Sequence, residues 1–346
     1  MELKTGAFVA ISWPDTRIYN ASSWYDGPMK VLGICKSDGY YNIGHAALLL
    51  VDYRNGDVRY FDFGRYHAPL GYGRVRDVQS DPELEIITKA IVENGKVINI
   101  KDILLELNPN QSTHGDGKLV CSVTPDIDFD LALASAKSIQ GREAVPYGPF
   151  QPFGSNCSRF VARIYRAGFR SHFKKLRISN RYLYFHSPTS NIIYTHDKGN
   201  VFIIEQEMFR VEESMLNVFL NKSKFVVAEK EENSDTTNNL PEPVICLSGI
   251  GSHAYFQLEK TEKSHLFRIR RYSEYGDLEI DDIFQLQSIG FNVNKTFLFD
   301  YISNGIAVKI KQDEKIFVLK NVKYQNQKPI QTKSIKQRIW TRGVKL

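Results

Sequence analysis

Cys157 is the residue whose position most clearly suggests chemistry. It follows a Gly-Ser-Asn turn in GSNCSRFVARIYRAG (154–168) and starts a predicted amphipathic helix. Because an ordinary cysteine titrates near pH ~8.5 and attacks as its thiolate, a nucleophile needs a neighbour that favours the anion. The N–H groups at the start of a helix favour the thiolate. The N–H of Cys157 would also face the oxyanion that develops at an attacked carbonyl. A small core residue is the alternative interpretation, and Asn156 is a further candidate for the cleft.

His45 is the candidate base for this thiol. It opens the apolar stretch HAALLLVDY (45–53), which is strand-like in length and composition. An imidazole there is either a satisfied structural group or the residue that deprotonates a neighbouring thiol. A third polar group usually fixes the imidazole tautomer, and Asp62 in the next strand-like run, VRYFDFGRY (58–66), is the candidate for that role. An exposed strand acid is the alternative for Asp62.

An Asn-Gly pair between these two runs predicts a hairpin with a two-residue turn. With that turn His45 lies opposite Tyr66 and Asp62 lies opposite Leu49. Asp62 then shares the His45 face of the ribbon, one to two pairs away. A bulge would bring His67 into register instead, so His67 is an alternative third residue.

The stretch THGDGKL (113–119) supplies two more candidates for the cleft, His114 and Asp116. One His and one Asp are an incomplete metal-ligand set, and a tight turn closed by the Asp side chain is the simpler interpretation. Arg65 could receive a substrate carboxylate by bidentate pairing or lie in a salt bridge. We find no phosphate loop or dinucleotide fingerprint, so the sequence predicts no metal and no cofactor.

Composition indicates an ordinary globular chain of 346 residues, 42% hydrophobic and 24% charged. The first residues, MELKTGAFVAISWPDT, lack the pattern of a signal peptide, and no apolar run approaches the roughly 20 residues of a membrane helix. Four cysteines without a CxxC pair are typical of free thiols. These observations predict a cytoplasmic protein without a membrane span; nothing in the sequence indicates an oligomeric state.

The net charge of +6 comes from the C-terminal end. Residues Asn321–Leu346 carry seven Lys and Arg side chains and no acid, which leaves the rest of the chain near −1. A solvated terminus is the simpler interpretation, and a contact with nucleic acid or another anionic surface is the alternative.

The order of the predicted elements indicates an α+β domain followed by a small all-β domain. Strands are predicted at 7–13, 45–53, 58–66, 201–206 and 224–229, and helices at 81–95, 128–141 and from Cys157 to Gly168. Six short apolar runs between 244 and 320 predict a β-sandwich or barrel. The predicted division is a first domain over 1–228, a linker over 229–243, a β domain over 244–322 and a basic tail over 323–346.

Three motifs, GHAALLLV, YFDF and SNCSRFV, resemble the circularly permuted papain-like group. That group includes lecithin:retinol acyltransferase-like enzymes and relatives of the NlpC-type cell-wall amidases, and its His strand precedes its Cys helix. More narrowly, GHA, DFGRY, THGDGKL and SNC-RFV together resemble a bacterial family whose members also carry a small β-rich C-terminal part. The resemblance covers roughly residues 1–228 and, more weakly, the rest.

The resemblance implies a permuted papain-like domain, an antiparallel sheet packed on helices, with Cys157 as nucleophile, His45 as base and Asp62 as third polar residue. Two features depart from the acyltransferases: the interval from His to this residue is longer, and an acid stands where many relatives have His. We therefore predict a cysteine hydrolase that cleaves a peptide or other amide through a thioester. Acyl transfer is the second reaction, and an inactive binding protein that uses its β domain is the competing class.

Overall fold

Two antiparallel sheets, of eight and seven strands, form the framework of the computed structural model. The structure describes residues 4–19, 40–41, 44–149, 151, 153–181, 187–195, 200–205, 208–212, 240–250 and 252–325. The helices are α1 Ile100–Leu107, α2 Phe129–Gln140, α3 Cys157–Ala167, α4 His172–Arg181 and α5 Pro188–Thr195. The strands are β1 Gly6–Trp13, β2 Ile18–Tyr19, β3 Tyr40–Tyr41, β4 His45–Asp52, β5 Val58–Gly64, β6 Tyr72–Arg76, β7 Val92–Glu93, β8 Lys96–Val97, β9 Leu119–Ile127, β10 Val145–Pro146, β11 Val201–Glu205, β12 Met208–Glu212, β13 Ile245–Ser248, β14 His253–Lys260, β15 Leu266–Tyr272, β16 Leu278–Leu286, β17 Leu298–Phe299, β18 Ala307–Gln312 and β19 Lys315–Asn321.

The first sheet has the order β10-β6-β5-β4-β1-β9-β11-β12 and carries helices on both faces. Its central strands β1 and β4 are buried along their whole length, which explains their nearly continuous apolar sequences. Alternate residues of these strands enter two separate cores. One core contains the apolar sides of α2 and α3, and the other contains the apolar side of α1.

The hairpin of β4 and β5 differs from the predicted register. Asp62 pairs with Ala47, not with Leu49, because the connection is a longer loop than the predicted two-residue turn. Within this loop the Asp52 carboxylate accepts from the Arg54 N–H at 3.0 Å, and the Asn55 side chain accepts from the Asp57 N–H at 3.0 Å. The shift is two residues, so Asp62 keeps its face and moves closer to His45.

Two predicted helices of the first domain are present with their caps. The Asp128 carboxylate accepts from the Leu131 N–H at 3.1 Å at the start of α2, and the chain leaves that helix at Gly141. Helix α3 runs from Cys157 to Ala167 and is followed by Gly168. Each helix therefore begins at a side chain that satisfies a first-turn N–H group.

The helix predicted over 81–95 is wrong. That segment has one 3-10 turn, Pro82–Leu84, followed by extended chain and the short hairpin of β7 and β8. Several of its backbone N–H groups bond outside the segment: those of Ile87 and Thr88 donate to the Glu106 carboxylate at 2.7 and 2.9 Å. These tertiary partners take the place of helical hydrogen bonds, and the helix in this region is α1, which was not predicted.

The second sheet has the order β13-β14-β15-β16-β19-β18-β17 and encloses its own apolar core. Five of the six predicted apolar runs form strands of four residues or more here, and FLFDYI contributes only the two residues of β17. Strand β16 was missed because Asp and Glu interrupt its apolar pattern. The predicted α+β class, with an antiparallel sheet packed on helices and a small all-β unit after it, is confirmed.

The predicted linker and tail lie mostly outside the described residues, as does the predicted strand at 224–229. Of the linker only residues 240–243 are described, and of the tail only residues 323–325. The four-part division and the alternative of a nucleic-acid contact therefore stay predictions. In the part of the chain that the structure describes, no helix has the length and apolar character needed to cross a membrane.

Candidate active site

The thiol of Cys157 lies at the first residue of α3. The Asn156 side chain caps this helix by accepting from the Arg159 N–H at 2.8 Å, and the Asn156 carbonyl accepts from the Phe160 N–H at 3.0 Å. The N–H groups of Cys157 and Ser158 come before these two bonds, at the positive end of the helix dipole. Asn156 therefore fixes where the helix starts and does not itself contact the sulfur in any described hydrogen bond.

His45, the first residue of β4, brings its imidazole to this sulfur. The His45 imidazole and the Cys157 thiol are close enough to shift each other's pKa, and the N–H of Ala46 also favours the thiolate. On the neighbouring strand Trp13 is the direct partner of His45, and its ring stacks on the imidazole with centroids 5.7 Å apart and an interplanar angle of 18°. The indole therefore covers one face of the imidazole ring and restricts its rotation.

Asp62 lies behind the imidazole at the centre of a buried hydrogen-bond network. Its Oδ2 is 3.6 Å from His45 Nε2 and accepts from the hydroxyls of Tyr66 at 2.8 Å and Tyr60 at 3.0 Å. The guanidinium of Arg76, its cross-strand partner, donates to both carboxylate oxygens at 3.0 and 2.5 Å. This bidentate pairing fixes the carboxylate strongly.

Tyr66 connects Asp62 to the imidazole. Its hydroxyl gives its proton to Asp62 and lies 3.3 Å from His45 Nε2, so the same oxygen can accept from an Nε2–H group. With Nε2 turned to Tyr66 and Asp62, the ring nitrogen left for the Cys157 sulfur is Nδ1. This arrangement fixes both the plane of the ring and the nitrogen that faces the thiol.

The charges of this group support a thiolate and an imidazolium. Burial disfavours charge on His45, but hydrogen bonds to Asp62 and Cys157, with their negative charges, raise its pKa to about 9. Burial likewise opposes the Cys157 thiolate, and the hydrogen bond and charge of His45 outweigh it and lower the pKa of the thiol. The pKa of Asp62 is lowered despite burial, chiefly by the charge of Arg76. A thiolate paired with an imidazolium is the form of cysteine that attacks carbonyl groups.

Family models match two separate parts of the chain. The model of the type VI secretion system effector TseH-like family matches residues 8–172. That range contains His45, Asp62 and Cys157. The model of the DUF6695 C-terminal domain matches residues 245–322, which contain all strands of the second sheet. The first match makes the N-terminal part of the chain similar to a family of secretion effectors.

One solved structure is similar to this chain. The crystal structure of the type VI secretion system effector TseH aligns with 60% of this chain and 98% of its own, at 16% sequence identity and a TM-score of 0.36. A comparison with curated proteins gives no match.

The loop with His114 and Asp116 lies beside the site. His114 has a left-handed backbone with φ 54°, and its ring is 5.1 Å from the Tyr66 ring. A Cβ on Gly115 would lie 2.2 Å from the Trp13 indole, so only glycine allows this close approach. The Asp116 N–H donates to the Thr16 hydroxyl at 2.9 Å. This loop therefore packs on the two aromatic residues that contact the His45 ring.

His67 and Arg65 lie away from the sulfur. His67 Nε2 is 3.0 Å from the Ser303 carbonyl oxygen in the second sheet's domain, so the alternative that it orients His45 does not fit this geometry. Burial and the charges of Arg74 and Arg271 hold the pKa of His67 well below its usual range. The Arg65 guanidinium lies 5.2 Å from the centroid of the Tyr147 ring.

Sequence reasoning missed Tyr60, Tyr66, Arg76 and Trp13 as members of the site. The sequence held a signal for Tyr60 and Tyr66. Strand alternation places both on the same face as Asp62 in the strand-like run 58–66. Arg76 could not be found this way because β6 was not predicted.

Access to the sulfur is narrow among the described residues. The exposed fractions of Cys157 and His45 are 4% and 6%. A cavity of ≈ 160 Å³ between the two sheets' domains includes Tyr66, Arg76 and His114 in its lining but not Cys157. In the same described part of the chain, no group of three or more His, Cys, Asp or Glu side chains could hold a metal ion.

Proposed function

We propose that the protein is a cysteine hydrolase of the permuted papain-like type that cleaves an amide bond in a peptide or related acyl substrate. One observation carries this proposal: the Cys157 thiol at a helix start is paired electrostatically with the His45 imidazole, and Asp62 is held behind the imidazole. Burial alone would make both groups neutral, so the lowered thiol pKa and the raised imidazole pKa point to nucleophilic chemistry.

In the proposed reaction the Cys157 thiolate attacks the carbonyl carbon, and a carbon–sulfur bond forms. The N–H groups at the start of α3 stabilise the oxyanion. The His45 imidazolium gives its proton to the leaving amine as the amide bond breaks, which leaves a thioester on Cys157. His45 then takes a proton from water as the water oxygen attacks the thioester carbon. The carbon–sulfur bond breaks, the acid product leaves, and the thiolate and imidazolium are restored.

The match to the TseH-like effector family supports a role as a type VI secretion effector. In that role the predicted cytoplasmic location would describe where the chain is made and not where it acts. The narrower resemblance to a bacterial family with a β-rich C-terminal part is consistent with the separate match over 245–322.

The proposal is tested by alkylating the full-length protein with iodoacetamide, a small neutral reagent suited to a thiol with little exposure. At pH 6.5 we expect Cys157 to react at least about 100-fold faster than Cys246, the exposed thiol, because the pKa of Cys157 is lowered and that of Cys246 is raised. H45A should remove this preference. H172A, which changes an exposed histidine, is the matched control and should keep it.

Activity is tested with p-nitrophenyl acetate, whose acetyl group should be found on Cys157 by peptide mass spectrometry. The C157A variant should carry no acetyl group there. Hydrolysis is distinguished from acyl transfer by adding an amine: release of free acid at an unchanged rate supports the hydrolase. Equal, slow alkylation of all four cysteines, unchanged by H45A, would leave only the non-enzymatic binding protein.

A further inference from the structure

Arg271 belongs to β15 of the second sheet, but its guanidinium lies among acids of the N-terminal domain. Its exposed fraction is 0%. Nη2 donates to both Glu83 oxygens at 2.8 and 2.7 Å, and Nη1 donates to Asp81 at 3.1 Å. Within its own domain Nε donates to Glu279 at 2.8 Å. One arginine thus joins two domains through three carboxylates.

The interface around Arg271 is closely packed, so the guanidinium has little freedom to move. A Cβ on Gly249 would lie 2.6 Å from the backbone nitrogen of His67. A Cβ on Gly305 would lie 2.6 Å from the backbone carbonyl oxygen of Gln79. The Gly305 N–H also donates to the Ser80 carbonyl at 2.8 Å. These backbone approaches hold two loops of the second sheet against the segments that carry His67 and Ser80.

A continuous series of contacts leads from Arg271 to the imidazole. Asp81 accepts two bonds of 2.6 Å from Arg74 in addition to the bond from Arg271. Arg74 Nε donates to the Tyr66 carbonyl at 3.2 Å, and the Tyr66 hydroxyl contacts both Asp62 and His45. Tyr66 is therefore held at its backbone by the cluster that Arg271 completes and at its hydroxyl by the site.

The charges of this buried cluster are closely balanced. Three guanidinium groups face four carboxylates; the cations are Arg74, Arg76 and Arg271, and the acids are Asp62, Asp81, Glu83 and Glu279. Burial, with the charges of Asp81 and Glu279, raises the pKa of Glu83 to about 7 even though Arg271 opposes the shift. Without Arg271 two cations would face four acids.

We infer that Arg271 is a positioning residue of the Cys157–His45 pair, which makes the C-terminal domain a required part of the active site. This inference rests on the proposed function. Removal of Arg271 leaves Asp81 without one of its two bonded cations, and Arg76, which also faces Asp81, is then shared between Asp81 and Asp62. The hold on Asp62 weakens, and the loss of a positive charge near the site disfavours the thiolate.

The test measures the pH dependence of Cys157 alkylation in the full-length protein carrying R271M. The titratable groups nearest the sulfur in this measurement are His45 and Tyr66, and Asp62 lies behind the imidazole. We expect the alkylation midpoint to rise by about one pH unit and the rate at pH 6.5 to fall about tenfold. R268Q, on the same strand, removes an exposed arginine paired with Asp281 and should leave the midpoint unchanged.

Two further variants separate positioning from folding. R271K keeps the positive charge but loses the fork that reaches three acids, so it should shift the midpoint by less than R271M. R271M/E83Q should keep the midpoint of R271M, because the pKa of Glu83, already about 7, rises further without Arg271 and the side chain carries no charge to remove. Both comparisons are made on protein that keeps its near-UV circular dichroism, and R271K provides the test if R271M does not fold.

The outcomes separate this inference from the proposed function. A wild-type Cys157 that alkylates like an ordinary thiol would reject the proposed function itself. A wild-type Cys157 with a low midpoint that R271M and R271K leave unchanged would overturn the role of Arg271 alone. A low midpoint that shifts with R271M but not with R268Q supports it.

Discussion

Cys157 and Cys121 are both buried free thiols, yet their surroundings give them opposite chemistry. Cys121 lies in the middle of β9, between Ile11 and Phe202 on the neighbouring strands, and burial raises its pKa well above that of an ordinary thiol. Cys157 is equally enclosed, but it lies at the start of a helix beside an imidazole, and its pKa is lowered. Burial alone therefore does not decide the direction in which the pKa of a thiol shifts, because a neighbouring group that takes the proton can reverse the effect of burial.

The largest change in the alkylation rate of Cys157 should come from D62N. This substitution removes the negative charge behind the imidazole and keeps the shape of the side chain. Without the carboxylate the pKa of His45 falls, and the thiolate loses its partner. We expect alkylation of Cys157 at pH 6.5 to slow by about 100-fold, by analogy with the loss of an orienting acid in other triads. Peptide mass spectrometry at timed intervals measures this rate.

D62N should also destabilise the fold, because the buried Arg76 loses its carboxylate partner at a cost of roughly 3 kcal/mol. Y66F is the matched control, since it keeps the carboxylate and removes one hydroxyl from the network. Its rate should fall by about tenfold, which corresponds to one hydrogen bond to a charged group. A wild-type rate in D62N would show that Asp62 supports the fold and not the thiolate.

Local rules determine where Cys157 lies on its helix and on which side of the ribbon Asp62 lies, so both placements could be predicted from the sequence. Asn156 caps a helix whose apolar stripe packs on the sheet, so the place of Cys157 follows from the helix start. The side of the ribbon on which Asp62 lies follows from strand alternation, which a two-residue shift in register leaves unchanged. Their roles in catalysis stay predictions.

The surroundings of the site could not be predicted because they depend on contacts between distant segments. The error over 81–95 shows this most clearly: Asp81 and Glu83 suggest a helix start by local pattern, but both carboxylates are bound by Arg271 from 188 to 190 positions away. Strand β6 was missed for a related reason. Its charged residues Arg74 and Arg76 are buried only because their acid partners lie on neighbouring segments.

The pH dependence of alkylation sharpens the comparison between Cys157 and an ordinary thiol. A lowered pKa means that the thiolate of Cys157 persists as pH falls, whereas burial raises the pKa of Cys246. Between pH 6.5 and 8.5 the rate at Cys246 should rise about tenfold per pH unit, and the rate at Cys157 should change less than about threefold. Parallel pH profiles for the two cysteines would contradict a thiolate at Cys157.

The smallest effect is expected for C121A, which removes the buried thiol of Cys121. Removing the sulfur from a strand that is paired on both sides leaves a small cavity, so the free energy of unfolding should fall by about 1 kcal/mol. Alkylation of Cys157 should keep its rate and its pH profile, because Cys121 belongs to the core on the α1 side of the sheet and Cys157 to the core on the α3 side. Urea unfolding and alkylation of the same preparation measure both quantities. A slower rate at Cys157 would mean that packing across the sheet, and not the imidazole alone, sets the reactivity of the thiol.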